Sequence, residues 1–146
     1  MFPDCIFSVK NGKMNEAARP PGKKIQIMDA LLDMLQGMGC DIDGAMPRFL
    51  HKEDLYRRCY KKFLDDRSFV ALGEALQAKK SDEAFRHAHI LQGMMANMGL
   101  TPLLNILLRI VEPLRQGCCD DSLLPAYVQL LTELKKYKIL AKRAGD

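Results

Sequence analysis

The chain has 146 residues, the usual size of one domain, and 48% of them are hydrophobic, which is enough for an ordinary core. The formal net charge of +4 is mild, and the lysines and arginines are spread over several segments rather than collected in one block. We therefore expect a single globular fold, and the charge pattern disfavours nucleic-acid binding.

The cysteines and the apolar segments indicate the compartment. Five cysteines is an odd number, and Cys118 and Cys119 are adjacent, which is a poor arrangement for a disulfide framework. We expect reduced thiols in a cytoplasmic protein. The first ten residues lack a basic start followed by an apolar run, and no apolar stretch reaches about 18 residues. The sequence therefore predicts neither a signal peptide nor a membrane contact.

The N-terminal part divides into a leader and the start of the helical domain. Residues 1–22 contain glycines and prolines among polar residues without a sustained period, so we interpret them as a flexible leader and assign residues 23–146 to the domain. From residue 24 a first amphipathic helix is predicted, which ends at Gly37 or Gly39. Its apolar face comprises Ile27, Leu31, Met34 and Leu35. A short helical segment follows over residues 41–49, capped by Asp43 and limited by Pro47.

Helical spacing of apolar residues continues over 52–64, 68–78, 81–98, 101–117 and 122–142. Ser81 is the predicted N-cap of the third of these helices, and Gly99 is its predicted C-terminal glycine. Thr101 is the predicted N-cap of the next helix, with Pro102 at the first helical position. No segment alternates with period two. We therefore predict an all-α fold, an antiparallel up-down four-helix bundle with one or two additional N-terminal helices.

Helix 81–98 carries an unusual histidine. Its apolar face comprises Ala84, Ala88, Leu91, Met95 and Met98. His89 points away from that face, whereas His87 lies at its margin, where a structural role fits better. Gly93 lies one turn after His89, and an interior helical glycine costs roughly 1 kcal/mol without serving as a cap. We expect Met94, at the rim, to pack in the core with the other methionines.

The two histidines of this helix do not suggest a metal site. His87 and His89 point to nearly opposite sides of a helix, so one ion cannot bind both rings. We predict no metal and no cofactor bound to this chain.

The string Ala88-His89-Ile90-Leu91-Gln92-Gly93, with Gly99 ten residues after the histidine, resembles the A-H-x-L-K-G motif of histidine-containing phosphotransfer (Hpt) domains. The segment D-L-Y-R-R-C-Y-K-K-F, the segment D-D-R-S-F-V-A-L and the sequence G-L-T-P-L after the motif extend the likeness. Residues 39–117 are in this respect similar to a stand-alone bacterial Hpt protein.

The resemblance implies a phosphocarrier that acts in a two-component phosphorelay. His89 would accept a phosphoryl group from an aspartyl phosphate on a response-regulator receiver domain, or exchange it with a hybrid histidine kinase, and pass it to another receiver. Gly93 would leave room for the phosphoryl group and the receiver. Mg²⁺ would sit on the receiver, and the chain itself would be a monomer that catalyses nothing.

Position 92 departs from the family pattern, because Gln92 stands where the motif has lysine. Glutamine can still contact a phosphoryl group through a neutral hydrogen bond, and charge-assisted bonds are roughly twice as strong. We expect a less stabilised phosphohistidine, with Arg86 as a possible source of charge on the same face.

The surface around His89 is the expected partner-binding face, formed by Phe85, Arg86, Ile90 and Ala96. Phe85 and Ile90 are either exposed contacts for a receiver or covered by the first helix. The alternative function is a helical module that docks receivers or kinases without carrying phosphate, which Gln92 favours. A third alternative is nucleic-acid binding through the basic residues of segment 52–62, which the spread of charge disfavours.

Overall fold

The computed structural model describes residues 30–144, and within this range all regular secondary structure is helical. In chain order the helices are α1 (Ala30–Gly37), α2 (Ile42–Ala45), a 3-10 helix (Met46–Phe49), α3 (Glu53–Leu64), α4 (Ser68–Gln77), α5 (Ser81–Met98), α6 (Thr101–Arg115), a 3-10 turn (Asp121–Leu123) and α7 (Leu124–Arg143). The all-α prediction is confirmed for this range. The predicted leader, residues 1–22, and the predicted start of the first helix lie outside it.

The long helices pack in sequence order, and α5 lies between two neighbours. It contacts α4 on one side and α6 on the other, while α6 contacts α7 and α7 returns to contact α4. Helices α1 and α3 pack against α7, and α2 packs against α5. Two neighbouring helices thus bury one broad side of α5 and leave the opposite side to solvent.

Buried tyrosines fasten α3 to the helices around it. Tyr56 and Tyr60 are fully buried and yet keep their hydroxyl groups hydrogen-bonded. The Tyr56 hydroxyl donates to the carbonyl oxygen of Met98 at 2.7 Å, and the Tyr60 hydroxyl donates to that of Tyr137 at the same distance. Because a buried hydroxyl without a partner is costly, these bonds fix the position of α3 against the ends of α5 and α7.

The C-terminal end of α5 is held by the segment before α3. Gly99 ends the helix in the left-handed region with φ 73°, as the sequence predicts. The amide of Asp41 donates to the carbonyl oxygen of Gly99 at 2.8 Å, so α2 begins directly against this end. The C-terminal end of α5 is therefore fixed in position against the start of α2.

Three predicted N-caps are wrong by one or two positions. Asp41, not Asp43, caps α2, because its carboxylate accepts from the Gly44 amide at 3.1 Å and its backbone is anchored to Gly99. Lys80, not Ser81, is the N-cap of α5, since the chain turns at Lys79 with φ 57° and the Lys80 carbonyl accepts the first helical bond.

Helix α6 has the third misplaced cap and an earlier end than predicted. Leu100 is its N-cap because the Leu100 carbonyl accepts the first helical hydrogen bond, from Leu104, so Thr101 is already helical. The helix contains Pro113 and ends at Arg115, two residues before the predicted Gly117.

Within residues 30–144 the cysteines are in two states. Cys40, Cys118 and Cys119 are free thiols, whereas Cys59 is disulfide-bonded. The prediction of reduced thiols is therefore wrong for Cys59, because an odd number of cysteines excludes complete pairing but not a single bridge. Within residues 30–144, no helix combines the length and apolar character needed to cross a bilayer.

Candidate functional site

His89 lies in the middle of α5 on the side that no described helix covers. Its imidazole is exposed, while Ala88 and Leu91, one and two positions away, are fully buried. The alternation follows from the helical period, because neighbouring residues differ by about 100° around the axis. The structure therefore presents the ring on a rigid element with the core directly behind it, as the sequence predicts.

The helix surface one turn beyond His89 is open. A Cβ atom built at Gly93 would have nothing within 4 Å, in contrast to one at Gly99, which would meet the backbone of Asp41, or at Gly73, which would meet the ring of Tyr127. Packing within residues 30–144 thus explains Gly73 and Gly99 but not Gly93. An interior glycine lowers helix stability by about 1 kcal/mol relative to alanine. At position 93 no packing contact within residues 30–144 offsets this loss.

An aromatic ring and an arginine stand beside the histidine. The Phe85 and His89 ring centroids are 5.5 Å apart with an angle of 36° between the planes. The guanidinium of Arg115 lies over the same phenyl ring, and its Cζ is 5.6 Å from the ring centroid. Phe85 is half-buried and packs against the core. Arg115, at the end of α6, was not among the sequence-predicted site residues.

Gln92 is turned partly inward. The residue is half-buried, and its Oε1 is buried with no hydrogen-bond partner. Its position on the helix explains this, because it lies at the edge of the buried face rather than directly above His89. The residue that replaces the motif lysine therefore brings no charge and has one carboxamide atom withdrawn from solvent.

The remaining predicted contact residues surround His89 on the exposed side. Arg86 and Ala96 are exposed, and Ile90 is 41% exposed, which makes it one of four exposed large apolar side chains within residues 30–144. Among residues 30–144, no ion pair involves Arg86. Phe85 and Ile90 were expected to be either exposed contacts for a partner or covered side chains. Ile90 is exposed, whereas Phe85 is partly covered by the core.

Two side chains on the other side of α5 refine the predictions. Met94 is only 2% exposed, so the prediction that it packs in the core is confirmed, and it lies deeper than the rim because α5 packs against two helices. All three methionines, Met94, Met95 and Met98, belong to the core. His87 is half-buried at the margin, as predicted, but its Nδ1 is buried without a hydrogen-bond partner.

The site contains no metal-binding cluster within residues 30–144, where no group of three or more histidine, cysteine or carboxylate side chains is arranged to hold an ion. What the arrangement offers is one exposed imidazole, an uncovered helix surface at Gly93, and two arginines, Arg86 on the same helix and Arg115 over the Phe85 ring. Such a set can take up and hold an anionic group on a nucleophilic ring nitrogen.

Comparison with protein-family models, with curated proteins and with solved structures gives no match for the chain. The assignment of a class of protein therefore depends on the residues of α5 and their surroundings.

Proposed function

We propose that the chain is a histidine phosphocarrier of a two-component phosphorelay, with His89 as the phosphoacceptor. The observation that carries the proposal is the pairing of an exposed histidine with a glycine whose side is open within residues 30–144. A partner's active site has to close over the ring, and a side chain at position 93 would stand in its path. The likeness of residues 88–93 to the Hpt motif supports the same reading.

The proposed function includes a four-helix bundle as the support of His89. Helices α4, α5, α6 and α7 each contact the next, and α7 contacts α4, which is the contact pattern of an antiparallel four-helix bundle. On this reading α1, α2 and α3 are additional N-terminal elements. The bundle serves as a rigid support that holds His89 outward on the middle of one helix.

The chemistry is a pair of reversible phosphoryl transfers. A neutral ring nitrogen of His89 attacks the phosphorus of an aspartyl phosphate on a receiver domain; the N–P bond forms while the acyl phosphate P–O bond breaks, and the aspartate carboxylate leaves. A second receiver's aspartate then attacks the phosphohistidine, and the ring leaves as neutral imidazole. Mg²⁺ and the acidic residues that bind it belong to the receivers, so this chain supplies only nucleophile and docking face.

The docking face consists of the exposed residues around His89. Ile90 and Ala96 offer apolar contact, and Arg86 offers a positive charge to the acidic surroundings of a receiver's aspartate. In this proposal the protein is a cytoplasmic monomer whose partners are receiver domains or a hybrid histidine kinase.

The test is transfer of labelled phosphate from receiver domains of the same organism, each phosphorylated with ³²P and mixed with the purified chain. Acid-labile, alkali-stable label should appear on the wild type and be absent from His89→Gln. The chain has three histidines, so His51→Gln and His87→Gln are matched controls that should keep the label. Label that persists in His89→Gln would overturn the assignment of the phosphoacceptor.

A second candidate function is a receiver- or kinase-docking module that does not carry phosphate. Gln92 favours it, since a neutral carboxamide leaves the position beside the phosphoryl group without a charge. In that case the same receivers would bind the chain in a pull-down or titration while no labelled histidine appeared with any of them.

A further inference from the structure

The contact of Arg115 with Phe85 links helix α6 to the His89 site. The Phe85 ring has the guanidinium of Arg115 5.6 Å from its centroid and the imidazole of His89 5.5 Å from it. A guanidinium over an aromatic ring is attracted by the negative face of the ring, so this stacking defines the resting position of the long Arg115 side chain. The guanidinium and the imidazole thus contact the same phenyl ring.

Arg115 is free enough to move toward an anion on His89. Its side chain is 48% exposed, and within residues 30–144 its one ion pair is with Glu112, where Nε lies 3.5 Å from Oε1. Exposed pairs of this kind are typically weak, so a doubly charged phosphoryl group would compete well for the guanidinium. The planar guanidinium can also form two parallel hydrogen bonds to phosphoryl oxygens, which a lysine cannot.

The His89 site lacks a cation at position 92, and Arg115 can supply one. Gln92 is neutral and partly withdrawn, so the cation that the Hpt motif places three residues after the histidine is missing here. Arg86 lies three residues before His89 on the same helix, but no contact orients its guanidinium within residues 30–144. Arg115 is the cation that has an aromatic contact in common with His89.

We infer that Arg115 supplies the positive charge of the His89 site, with Phe85 as the surface that holds its guanidinium beside the histidine. A phosphoryl group on His89 draws the guanidinium from Glu112 and is stabilised by it. This inference rests on the proposed function, and it extends the site from one helix to two.

The test uses phosphoramidate, a small donor that needs no partner protein. Its own P–N bond breaks, ammonia leaves, and the phosphoryl group forms a new P–N bond to the imidazole. Phosphohistidine is then followed by ³¹P NMR after the donor is removed. We expect Arg115→Gln to shorten its lifetime roughly two- to five-fold, the range of one exposed ion pair. Arg115→Lys should restore most of the lifetime, and Phe85→Leu should shorten it.

Arg109→Gln is the matched control, because Arg109 is an exposed arginine on the same helix. It should leave the lifetime unchanged, and Glu112→Gln should lengthen it by releasing the guanidinium. A direct signature is the Nε–H resonance of Arg115, which should shift when His89 is phosphorylated, while that of Arg109 stays in place. These readouts would not respond to a merely structural role.

The two ways of failing are distinct. If the wild type is labelled on His89 and Arg115→Gln has the wild-type lifetime with an unshifted Arg115 resonance, the role of Arg115 is wrong and the phosphocarrier function stands. If neither phosphoramidate nor any phosphorylated receiver labels His89 in the folded wild type, the proposed function itself fails and the role of Arg115 fails with it.

Discussion

The guanidinium of Arg48 donates from Nε to the main-chain carbonyl of Asn97 at 2.9 Å. A second donor, Nη2, reaches the carbonyl of Ala96 at 3.2 Å. The last carbonyls of a helix have no partner within it and carry partial negative charge. The 3-10 helix therefore closes the C-terminal end of the helix that presents His89.

Removing this cap should destabilise the fold. We expect Arg48→Met to lower the free energy of unfolding by about 1–2 kcal/mol, because two charge-assisted bonds to helix-end carbonyls are lost. Urea unfolding followed by circular dichroism measures the change. Arg58→Met, at an exposed position on α3, should change stability by less than about 0.5 kcal/mol. Equal losses in the two variants would contradict the capping role.

Gly93→Ala should stabilise the protein, by about 0.5–1 kcal/mol in urea unfolding, because a Cβ there meets only open space and alanine is the better helix former. Gly99→Ala should destabilise it by at least about 1 kcal/mol, since φ is 73° and the Cβ would collide with the backbone of Asp41. A destabilised Gly93→Ala would show that packing, not function, explains the glycine.

A large side chain at position 93 should hinder phosphoryl transfer from a protein partner but not from a small donor. Gly93→Leu has room to fold, and we expect it to accept phosphate from phosphoramidate at close to the wild-type rate. Transfer from a phosphorylated receiver should fall at least ten-fold, because the leucine stands between the two proteins. Gln77→Leu, exposed on α4, is the control and should transfer normally. An undiminished transfer rate in Gly93→Leu would remove the argument for steric clearance.

Restoring the motif lysine should strengthen the site. We expect Gln92→Lys to lengthen the phosphohistidine lifetime several-fold, because an ammonium adds a charge-assisted contact that a carboxamide lacks. Gln92→Met, similar in length and uncharged, separates the effect of charge from that of relieving the buried Oε1. Lifetimes by ³¹P NMR that match the wild type in Gln92→Lys would mean that position 92 does not contact the phosphoryl group.

Alkaline pH should weaken the fold through Cys40. Burial raises the pKa of its thiol from 9.0 to about 11, with the hydrogen bond between the thiol and Tyr137 acting in the opposite direction. Between these values the unfolded chain releases a proton that the folded chain keeps, so stability falls as pH rises from 9 to 11. The loss is on the order of 1–3 kcal/mol.

Unfolding in urea at a series of pH values measures the slope of the free energy of unfolding against pH. Cys40→Ala should be less stable at every pH, yet its stability should fall less between pH 9 and 10. Some slope remains at higher pH, because burial also raises the pKa of Tyr56 and Tyr137. An unchanged slope in Cys40→Ala would show that its thiol does not control the alkaline limit.

The periodic features of the chain could be predicted from sequence. The exposure of His89 and the burial of Ala88 and Leu91 follow from a 3.6-residue period that one helix imposes on its own side chains. Gly99 could be identified as a helix end because only a residue tolerant of positive φ fits there. These properties depend on local geometry alone.

Neighbours across helices could not be predicted. The contact between Arg115 and Phe85 depends on how α6 crosses α5. The cap at Asp41 likewise depends on Gly99, which anchors its backbone. No periodic pattern carries that information, because crossing geometry results from the packing of all the side chains at once.

By itself, then, the sequence determined the helical class, the outward histidine and the unexplained glycine beside it, since each follows from one helix's own period. Only the tertiary structure decided that the space beside Gly93 is open, that Gln92 turns inward and that a cation from α6 stands over Phe85. The reason is physical: whether a position on a helix is empty or occupied depends on atoms that other helices bring to it.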